Sequence, residues 1–204
     1  MRRCLPVLLL LATVPCLQAA QPAAPSVTPV ASSTSGWKAK VTASLPKLGH
    51  RNWILIVDSA YPLQTSPGVE TVVTNASQPD VLHYVLSAIG NSIHVRPVIT
   101  MDAELPFVSD EDAPGATAYR KQLSALLHDY PVQSLLHDRA IATIGDAGAQ
   151  FHVLVLKTTL AIPYTSVFIR LDCKYWGADA EKRLRDKMAA AATSTQSPAD
   201  SPNP

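Results

Sequence analysis

The feature that most constrains the fold is a short apolar run, Trp53-Ile54-Leu55-Ile56-Val57, with polar residues at both ends. Its length and its content of β-branched residues predict a buried strand rather than a helix. A strand that is apolar on both faces belongs in a sheet covered on both sides, so the run predicts an α/β domain.

Polar side chains flank this strand. Gly49-His50 precedes it and Asp58-Ser59 follows it. Loops at strand ends commonly carry functional side chains, so His50 and Asp58 are candidate site residues. A purely structural interpretation also stands, in which His50 is a solvated loop residue and Asp58 caps a turn.

The charge and cysteine content exclude two classes of protein. The chain has 17 basic and 16 acidic side chains and a net charge of +1, so it lacks the basic excess of a nucleic-acid-binding protein. Two of its three cysteines, Cys4 and Cys16, lie near the N-terminus, which leaves Cys173 alone in the rest of the chain. No internal disulfide framework is therefore expected.

The N-terminus has the pattern of a signal peptide over residues 1–20. Arg2-Arg3 precede an apolar stretch from Leu5 to Val14, and small residues follow at Ala19 and Ala20. The pattern predicts export to a periplasm or secretion. A lipoprotein attached to a membrane through Cys16 is the alternative, which Pro15 disfavours.

Composition divides the remaining chain into three parts. Residues 21–36 form an Ala-, Pro- and Ser-rich linker, residues 188–204 form a low-complexity tail expected to be disordered, and residues 37–187 form the folded domain. Within it the patterns predict helices over 38–48, 79–89, 118–127, 139–147 and 180–190, and strands over 53–57, 70–73, 93–101, 151–156 and 166–173. This order predicts a single compact α/β domain with a mixed sheet flanked by helices.

Glycine and proline refine these predictions. Gly90 suits the C-terminal cap of the helix over 79–89, and Gly145 is expected to interrupt the helix over 139–147. Pro97 cannot donate to a sheet ladder, so it predicts an edge or a bulge in its strand.

The common catalytic and cofactor motifs are absent from the sequence. It contains no glycine-rich nucleotide loop, no G-x-S-x-G and no H-E-x-x-H. None of the six histidines pairs with another ligand at zinc spacing on one predicted element. We therefore expect neither a metal nor an organic cofactor.

A set of polar residues remains at the ends of the predicted elements. Its members are His50, Asp58, His137 or Arg139, Tyr164 and Ser166. A hydroxyl-rich ligand needs several donors and acceptors, and acid–base chemistry on it needs a group that titrates near neutral pH, as imidazole does. The set suits the handling of a monosaccharide.

The order of these motifs resembles the ribose pyranase and fucose mutarotase family. Members have a Gly-His pair and then an apolar strand that ends in Asp, a small residue, an aromatic residue or Leu, and Pro. Gly49-His50 and the segment from Ile54 to Pro62 follow this order. Near the C-terminus, an apolar strand and a turn precede the family's Tyr-x-Asn. Here the corresponding residues are Tyr164-Thr165-Ser166, with Ser in place of Asn.

The resemblance implies roles for the candidate residues. His50 would be the general acid/base for opening and closing the sugar ring, and Asp58 would bind a sugar hydroxyl or orient His50. Tyr164 would contact the sugar. The fucose type carries an Arg and the ribose type a His before the last helix, positions at which this chain has Arg139 and His137; Arg139 is favoured.

The implied function is the interconversion of the cyclic forms of a monosaccharide without a cofactor. Members of the family form rings in which a neighbouring subunit completes each site, so a homo-oligomer is expected. Ser166 in place of Asn, together with Thr159-Leu160 in place of the family's Gly-Glu, keeps a second interpretation open. In it, the chain is a non-catalytic binding protein for a sugar or another small polar ligand. A structural envelope protein with a vestigial pocket is a third.

Overall fold

The computed structural model describes residues 36–195, with side chains described through residue 192. The predicted signal peptide, most of the predicted linker and the end of the predicted tail lie outside the described residues. The described part has six strands and five α-helices, which confirms the predicted α/β class with a mixed sheet flanked by helices. The strands are β1 (Trp53–Val57), β2 (Val69–Val73), β3 (Val95–Asp102), β4 (Val132–Leu135), β5 (Val153–Lys157) and β6 (Val167–Cys173). The helices are α1 (Gly36–Ser44), α2 (Gln78–Asn91), α3 (Ala116–Leu126), α4 (His137–Gln150) and α5 (Ala178–Thr195).

The six strands form one sheet in the order β2-β5-β1-β6-β3-β4. β1 pairs in parallel with β5, and β5 pairs in parallel with β2. β6 runs antiparallel to both of its neighbours, β1 and β3, and β4 is parallel to β3. The C-terminal ends of five strands therefore lie along one side of the sheet, across the strands, and β6 begins on that side. We call it the C-terminal edge.

Alternating side chains of the buried strands fill two apolar cores, one on each face of the sheet. Ile54 and Ile56 of β1 contribute to the core under α1, α2 and α3. Leu55 and Val57 contribute to the core under α4. The period of two along a strand places these pairs on opposite faces, so the run that predicted a doubly covered strand is packed on both sides.

Local sequence fixes the ends of the helices that matter for the site. The Ser77 side chain accepts a hydrogen bond from the Asp80 N–H and caps α2, and Pro79 lies in its first turn. On α4 the buried residues Ala140, Ile144 and Gly148 recur every four residues, which lays one stripe of the helix on the sheet.

Four details differ from the sequence prediction. β4 was missed because Val132–Leu135 includes two polar residues and no apolar run. Gly90 lies inside α2 rather than at its cap, and Ser92 is the capping residue. Gly145 does not interrupt α4. α5 continues to Thr195, so the first residues of the predicted disordered tail are helical, since their run of alanines favours a helix.

Pro97 lies where β3 is paired on one side alone. It is opposite Leu171 of β6, whereas pairing with β4 begins at Ile99. The prediction of a local edge is therefore confirmed, because the missing N–H faces no neighbouring strand there. In the same described range, no helix has the length and apolarity needed to cross a bilayer.

Two glycines in helices should respond oppositely to alanine. Nothing lies within 4 Å of a Cβ built at Gly90, but a Cβ at Gly148 would lie 2.5 Å from Cγ2 of Val69. We expect Gly90→Ala to raise the free energy of unfolding by about 0.5–1 kcal/mol. Gly148→Ala should lower it by about 1–3 kcal/mol through overpacking. Urea unfolding of both variants checks this; a loss of stability in Gly90→Ala would contradict the helical placement.

Candidate active site

Polar side chains collect at the C-terminal edge of the sheet. Asp58 follows β1, Asp102 ends β3, His137 follows β4, and Tyr164 and Ser166 precede β6. The pairing register places Ser166 between Val57 of β1 and Asp102 of β3, since Val167 is opposite both Ile56 and Met101. The edge thus brings together four of the six predicted site residues.

The centre of this cluster is a hydrogen-bonded pair between Asp102 and His137. Nδ1 of His137 lies 3.1 Å from Oδ1 of Asp102. The Asp102 side chain is fully buried, whereas that of His137 is 26% exposed, so the imidazole reaches solvent and the carboxylate behind it does not. When Asp102 is ionised, Nδ1 carries the proton, and in the neutral ring Nε2 holds the free lone pair.

Glu104 fixes the backbone of the same histidine. Both of its carboxylate oxygens accept a hydrogen bond from the His137 N–H, at 3.0 and 3.1 Å. His137 is the first residue of α4, where an acidic group is favoured by the helix dipole. His137 is therefore held at two points, the Nδ1 of its side chain and its main-chain N–H.

Burial controls the charge of Asp102. Desolvation raises the pKa of its carboxyl group above the usual range, and the negative charge of Glu104 acts in the same direction. The hydrogen bond and the positive charge of His137 oppose this shift, as does the backbone N–H of Ser166. His137 thus favours the ionised form of the carboxylate that accepts its hydrogen bond.

Tyr164 borders the pair. Its ring packs edge-on against the His137 ring, with centroids 5.4 Å apart and an interplanar angle of 86°. The tyrosine has a left-handed backbone with φ of 58°, a conformation that costs about 1 kcal/mol or more for a residue of this size. Thr165 anchors the turn through its hydroxyl bond to the Ile162 carbonyl, at 2.9 Å. The turn thereby holds an aromatic ring, 38% exposed, beside the imidazole.

Ser166 and Arg139 occupy different surroundings. Ser166 is fully buried, and its Oγ has no hydrogen-bond partner in the described part of the protein. Arg139 is exposed in the first turns of α4, two residues after His137. Of these two alternative site residues, His137 is held in the acid–base pair, whereas Arg139 lies at the surface.

Asp58 belongs to the same edge but not to the pair. It is 8% exposed, and its Oδ1 accepts a 2.7 Å hydrogen bond from the Ala60 N–H, as in a capped turn. β6 lies between β1 and β3, so two strand spacings, about 10 Å, separate Asp58 from the end of β3. Its charge still raises the pKa of Tyr61, whose shift is caused first by burial and then by Asp102.

His50 lies at the opposite edge of the sheet. It is exposed in a turn closed by the Asn52 N–H bond to the Gly49 carbonyl at 3.2 Å. The five residues of β1 separate it from Asp58, a span of about 16 Å. Within one chain, Asp58 therefore does not orient His50, and His50 does not reach the Asp102–His137 pair.

Sequence reasoning missed Asp102 and Glu104. Asp102 lies at the end of a predicted strand, which is the signal that selected Asp58 and would have selected Asp102 as well. Glu104 carries no comparable signal, since its role depends on the fold bringing the short 3-10 turn at Leu105–Phe107 to the start of α4.

Comparison with known proteins finds similarity at the level of structure. No protein-family profile matches the chain, and no curated protein matches it in sequence. RbsD from Bacillus subtilis, solved with D-ribose, is similar with a TM-score of 0.47 and 17% identity over 67% of this chain and 92% of RbsD. FucU from Bifidobacterium longum has a TM-score of 0.46 and 14% identity over 66% of this chain and 94% of FucU.

A third similar structure is the fucose mutarotase of Streptococcus pneumoniae, solved with L-fucose. Its TM-score is 0.42 and its identity 17%, over 64% of this chain and 89% of the mutarotase. Solved structures of RbsD and FucU, the ribose pyranase and fucose mutarotase family, are thus among those that this chain resembles.

Proposed function

We propose that this protein interconverts the cyclic forms of a monosaccharide, with the Asp102–His137 pair as its acid–base group. One observation carries the proposal: an imidazole that reaches solvent is held at Nδ1 by a buried carboxylate, beside a half-exposed aromatic ring. A histidine fixed in this way can both accept and donate a proton.

The chemistry requires two proton transfers. Ring opening removes the proton from the anomeric hydroxyl and delivers a proton to the ring oxygen as the bond between the anomeric carbon and that oxygen breaks. Nε2 of His137 would accept the first proton and return one to the ring oxygen, directly or through water. Closure onto either face of the carbonyl, or by another hydroxyl, then yields the other anomer or ring size.

Neighbouring side chains suit the remaining needs of a sugar. The Tyr164 ring offers an apolar face and a hydroxyl beside His137. Arg139 could donate to sugar hydroxyls from the first turns of α4. Asp58 lies along the same edge as a possible acceptor, and the buried Ser166 would shape the site rather than touch the ligand.

His50 enters this scheme only across a subunit boundary. The structure separates it from His137 within one chain, while the family resemblance assigns it an acid–base role in rings of subunits. We therefore propose a homo-oligomer in which His50 of one subunit completes the site at His137 of its neighbour. The exported location expected from the sequence belongs to the same proposal.

Mixing inactive variants tests the shared site. We expect His50→Ala to leave the fold intact and to abolish sugar exchange, as His137→Ala should. Random assembly of the two variants would place both native histidines in about a quarter of the sites, so about a quarter of the activity should return. Subunits mixed after reversible dissociation are assayed by NMR exchange spectroscopy. Unchanged exchange in His50→Ala would remove His50 from the mechanism.

Exchange spectroscopy on ribose, fucose, galactose and glucose separates the two candidate functions. Catalysis predicts faster exchange between anomers or ring forms, in proportion to the concentration of the full-length protein. The unpartnered Ser166 in place of the family's Asn favours the alternative, a binding protein, which predicts line broadening of the bound sugar without faster exchange. If none of the four sugars shows faster exchange or line broadening, both functions are contradicted.

A further inference from the structure

His50 lies in a cleft on the side of the sheet opposite the C-terminal edge. The cleft has a volume of about 530 Å³ and is enclosed by the turn before β1, the start of β3, the end of β6 and the start of α5. Beside His50, its lining includes two aromatic side chains, Tyr175 and Trp176, and three charged ones, Arg96, Asp172 and Glu181.

The two aromatic side chains of the cleft are open to solvent. Tyr175 is 78% exposed and Trp176 is 43% exposed, whereas Trp37 is buried and Trp53 is half-buried. Large aromatic side chains that lie together at a surface commonly mark a place where something binds. The aromatic pair therefore makes the surroundings of His50 a candidate binding surface.

The indole ring of Trp176 is held in a fixed orientation. Its Nε1 donates a 2.8 Å hydrogen bond to Oε2 of Glu181, and Oε1 of the same carboxylate accepts a 2.7 Å hydrogen bond from Nε of Arg185. The polar edge of the ring is thus bonded while part of the ring stays open to the cleft. A ring that is already positioned loses little conformational freedom when a ligand stacks on it.

The charged side chains of the cleft are already paired. Arg96 donates two hydrogen bonds to Oδ2 of Asp172, at 3.1 and 2.7 Å, and Glu181 is paired with Arg185. An ionic ligand would find little unbalanced counter-charge here, whereas hydroxyl groups can still exchange hydrogen bonds with these groups. A fixed aromatic face with paired polar groups around it suits a monosaccharide ring, which carries C–H bonds on its faces and hydroxyl groups at its rim.

We propose that Trp176 is a sugar-binding residue of the shared site, stacking on the monosaccharide on which His50 of the same subunit and His137 of its neighbour act. The inference rests on the proposed function. Because His50 and Trp176 line one cleft, a subunit that brings its His50 to the site of its neighbour brings the indole ring as well. Trp176 sets the affinity and orientation of the sugar, and the proton transfers stay with the histidines.

Subunit mixing tests where Trp176 acts. In mixtures of His50→Ala and His137→Ala, every working site takes its His50 from the His137→Ala subunit. We expect Trp176→Ala on that subunit to raise the KM for the sugar about threefold to tenfold with little change in kcat per working site, because stacking buries apolar surface away from the reacting atoms. The same change on the His50→Ala subunit should leave KM unaltered. Equal KM in the two mixtures would overturn the proposal.

Two further variants separate stacking from a structural role. Trp176→Phe keeps an aromatic ring and should recover most of the affinity that Trp176→Ala loses. Leu184→Ala truncates a side chain of α5 that is 40% exposed and does not line the cleft, so it should leave KM unchanged. Sedimentation should give Trp176→Ala oligomers the native mass. A smaller oligomer with a lower kcat would assign Trp176 to subunit assembly and overturn the proposal.

The indole N–H signals test the inference without turnover. Trp176→Phe assigns the Trp176 signal in ¹H–¹⁵N spectra of the full-length protein, which is titrated with ribose, fucose, galactose and glucose. We expect the sugar that is exchanged to shift this signal while that of buried Trp37 stays fixed. A shift without exchange would contradict the proposed catalysis and keep the sugar contact at Trp176. Exchange without a shift would overturn the role of Trp176 alone, and absence of both would contradict both proposals.

Discussion

Replacing His137 by glutamine should slow sugar exchange about 10²- to 10⁴-fold, the usual contribution of a positioned general acid/base. Glutamine approximates the size of the imidazole and can still hydrogen-bond to Asp102, but it cannot accept and return a proton near neutral pH. The rate of anomer or ring-form exchange, measured by NMR at saturating sugar, reports the loss. Because binding contacts are largely kept, the affinity for the sugar should change much less than the rate.

The matched control is His83→Gln. His83 is exposed on α2. That helix covers the opposite face of the sheet from α4, which carries His137. Replacement of His83 should leave the exchange rate unchanged. A His137→Gln protein that exchanges sugar at the native rate would exclude the imidazole from the mechanism, whereas a loss of affinity without a loss of rate would assign His137 to binding alone.

Replacing Asp102 by asparagine should lower the exchange rate about tenfold to a hundredfold without loosening the fold. The carboxylate charge that fixes Nδ1 as the donor disappears, so the imidazole loses its preferred tautomer. Exchange spectroscopy gives the rate. A rate equal to that of the native protein would contradict the role of Asp102.

The same variant should be at least as stable as the native protein at neutral pH. Burial raises the folded-state pKa of Asp102, so the protonated carboxyl favours the folded state below the usual pKa of 3.8, and that stability is lost as the pH rises through the folded-state pKa. Asparagine does not ionise, so it carries no cost of a buried negative charge at any pH. The advantage of Asp102→Asn in urea unfolding should therefore grow with rising pH and be smallest below pH 3.8. If the stability advantage of Asp102→Asn grew on acidification, the raised pKa of Asp102 would be contradicted.

The fold was predictable where the sequence carries strong local signals. The apolar runs of β1 and β5 and the spaced apolar residues of α2 specify their own structure, because each must bury a complete face. β4 could not be predicted, since Gln133 and Ser134 lie on an exposed edge strand whose only requirement is pairing with β3. Its existence depends on a neighbour that is distant in sequence.

The candidate site was predictable only in part for a related reason. Residues at strand ends were found, including Asp58, Tyr164 and Ser166, but which of them lie together depends on the strand order. Asp102 meets His137 because β3 and β4 are neighbours, and no local pattern encodes that adjacency. Likewise, His50 and Asp58 are eight positions apart in sequence, yet β1 places them at opposite edges of the sheet.

The histidine side-chain NMR spectrum during a sugar titration tests the central claim most directly. All six histidines lie in the described part of the chain, and His137→Gln assigns the signals of the residue in question. With ribose, fucose, galactose and glucose as probes, we expect at least one sugar to shift the imidazole nitrogen signals of His137 along a binding curve, while those of exposed His83 and His128 stay fixed. Sugar binding that leaves the His137 signals unchanged would contradict a monosaccharide site at the Asp102–His137 pair.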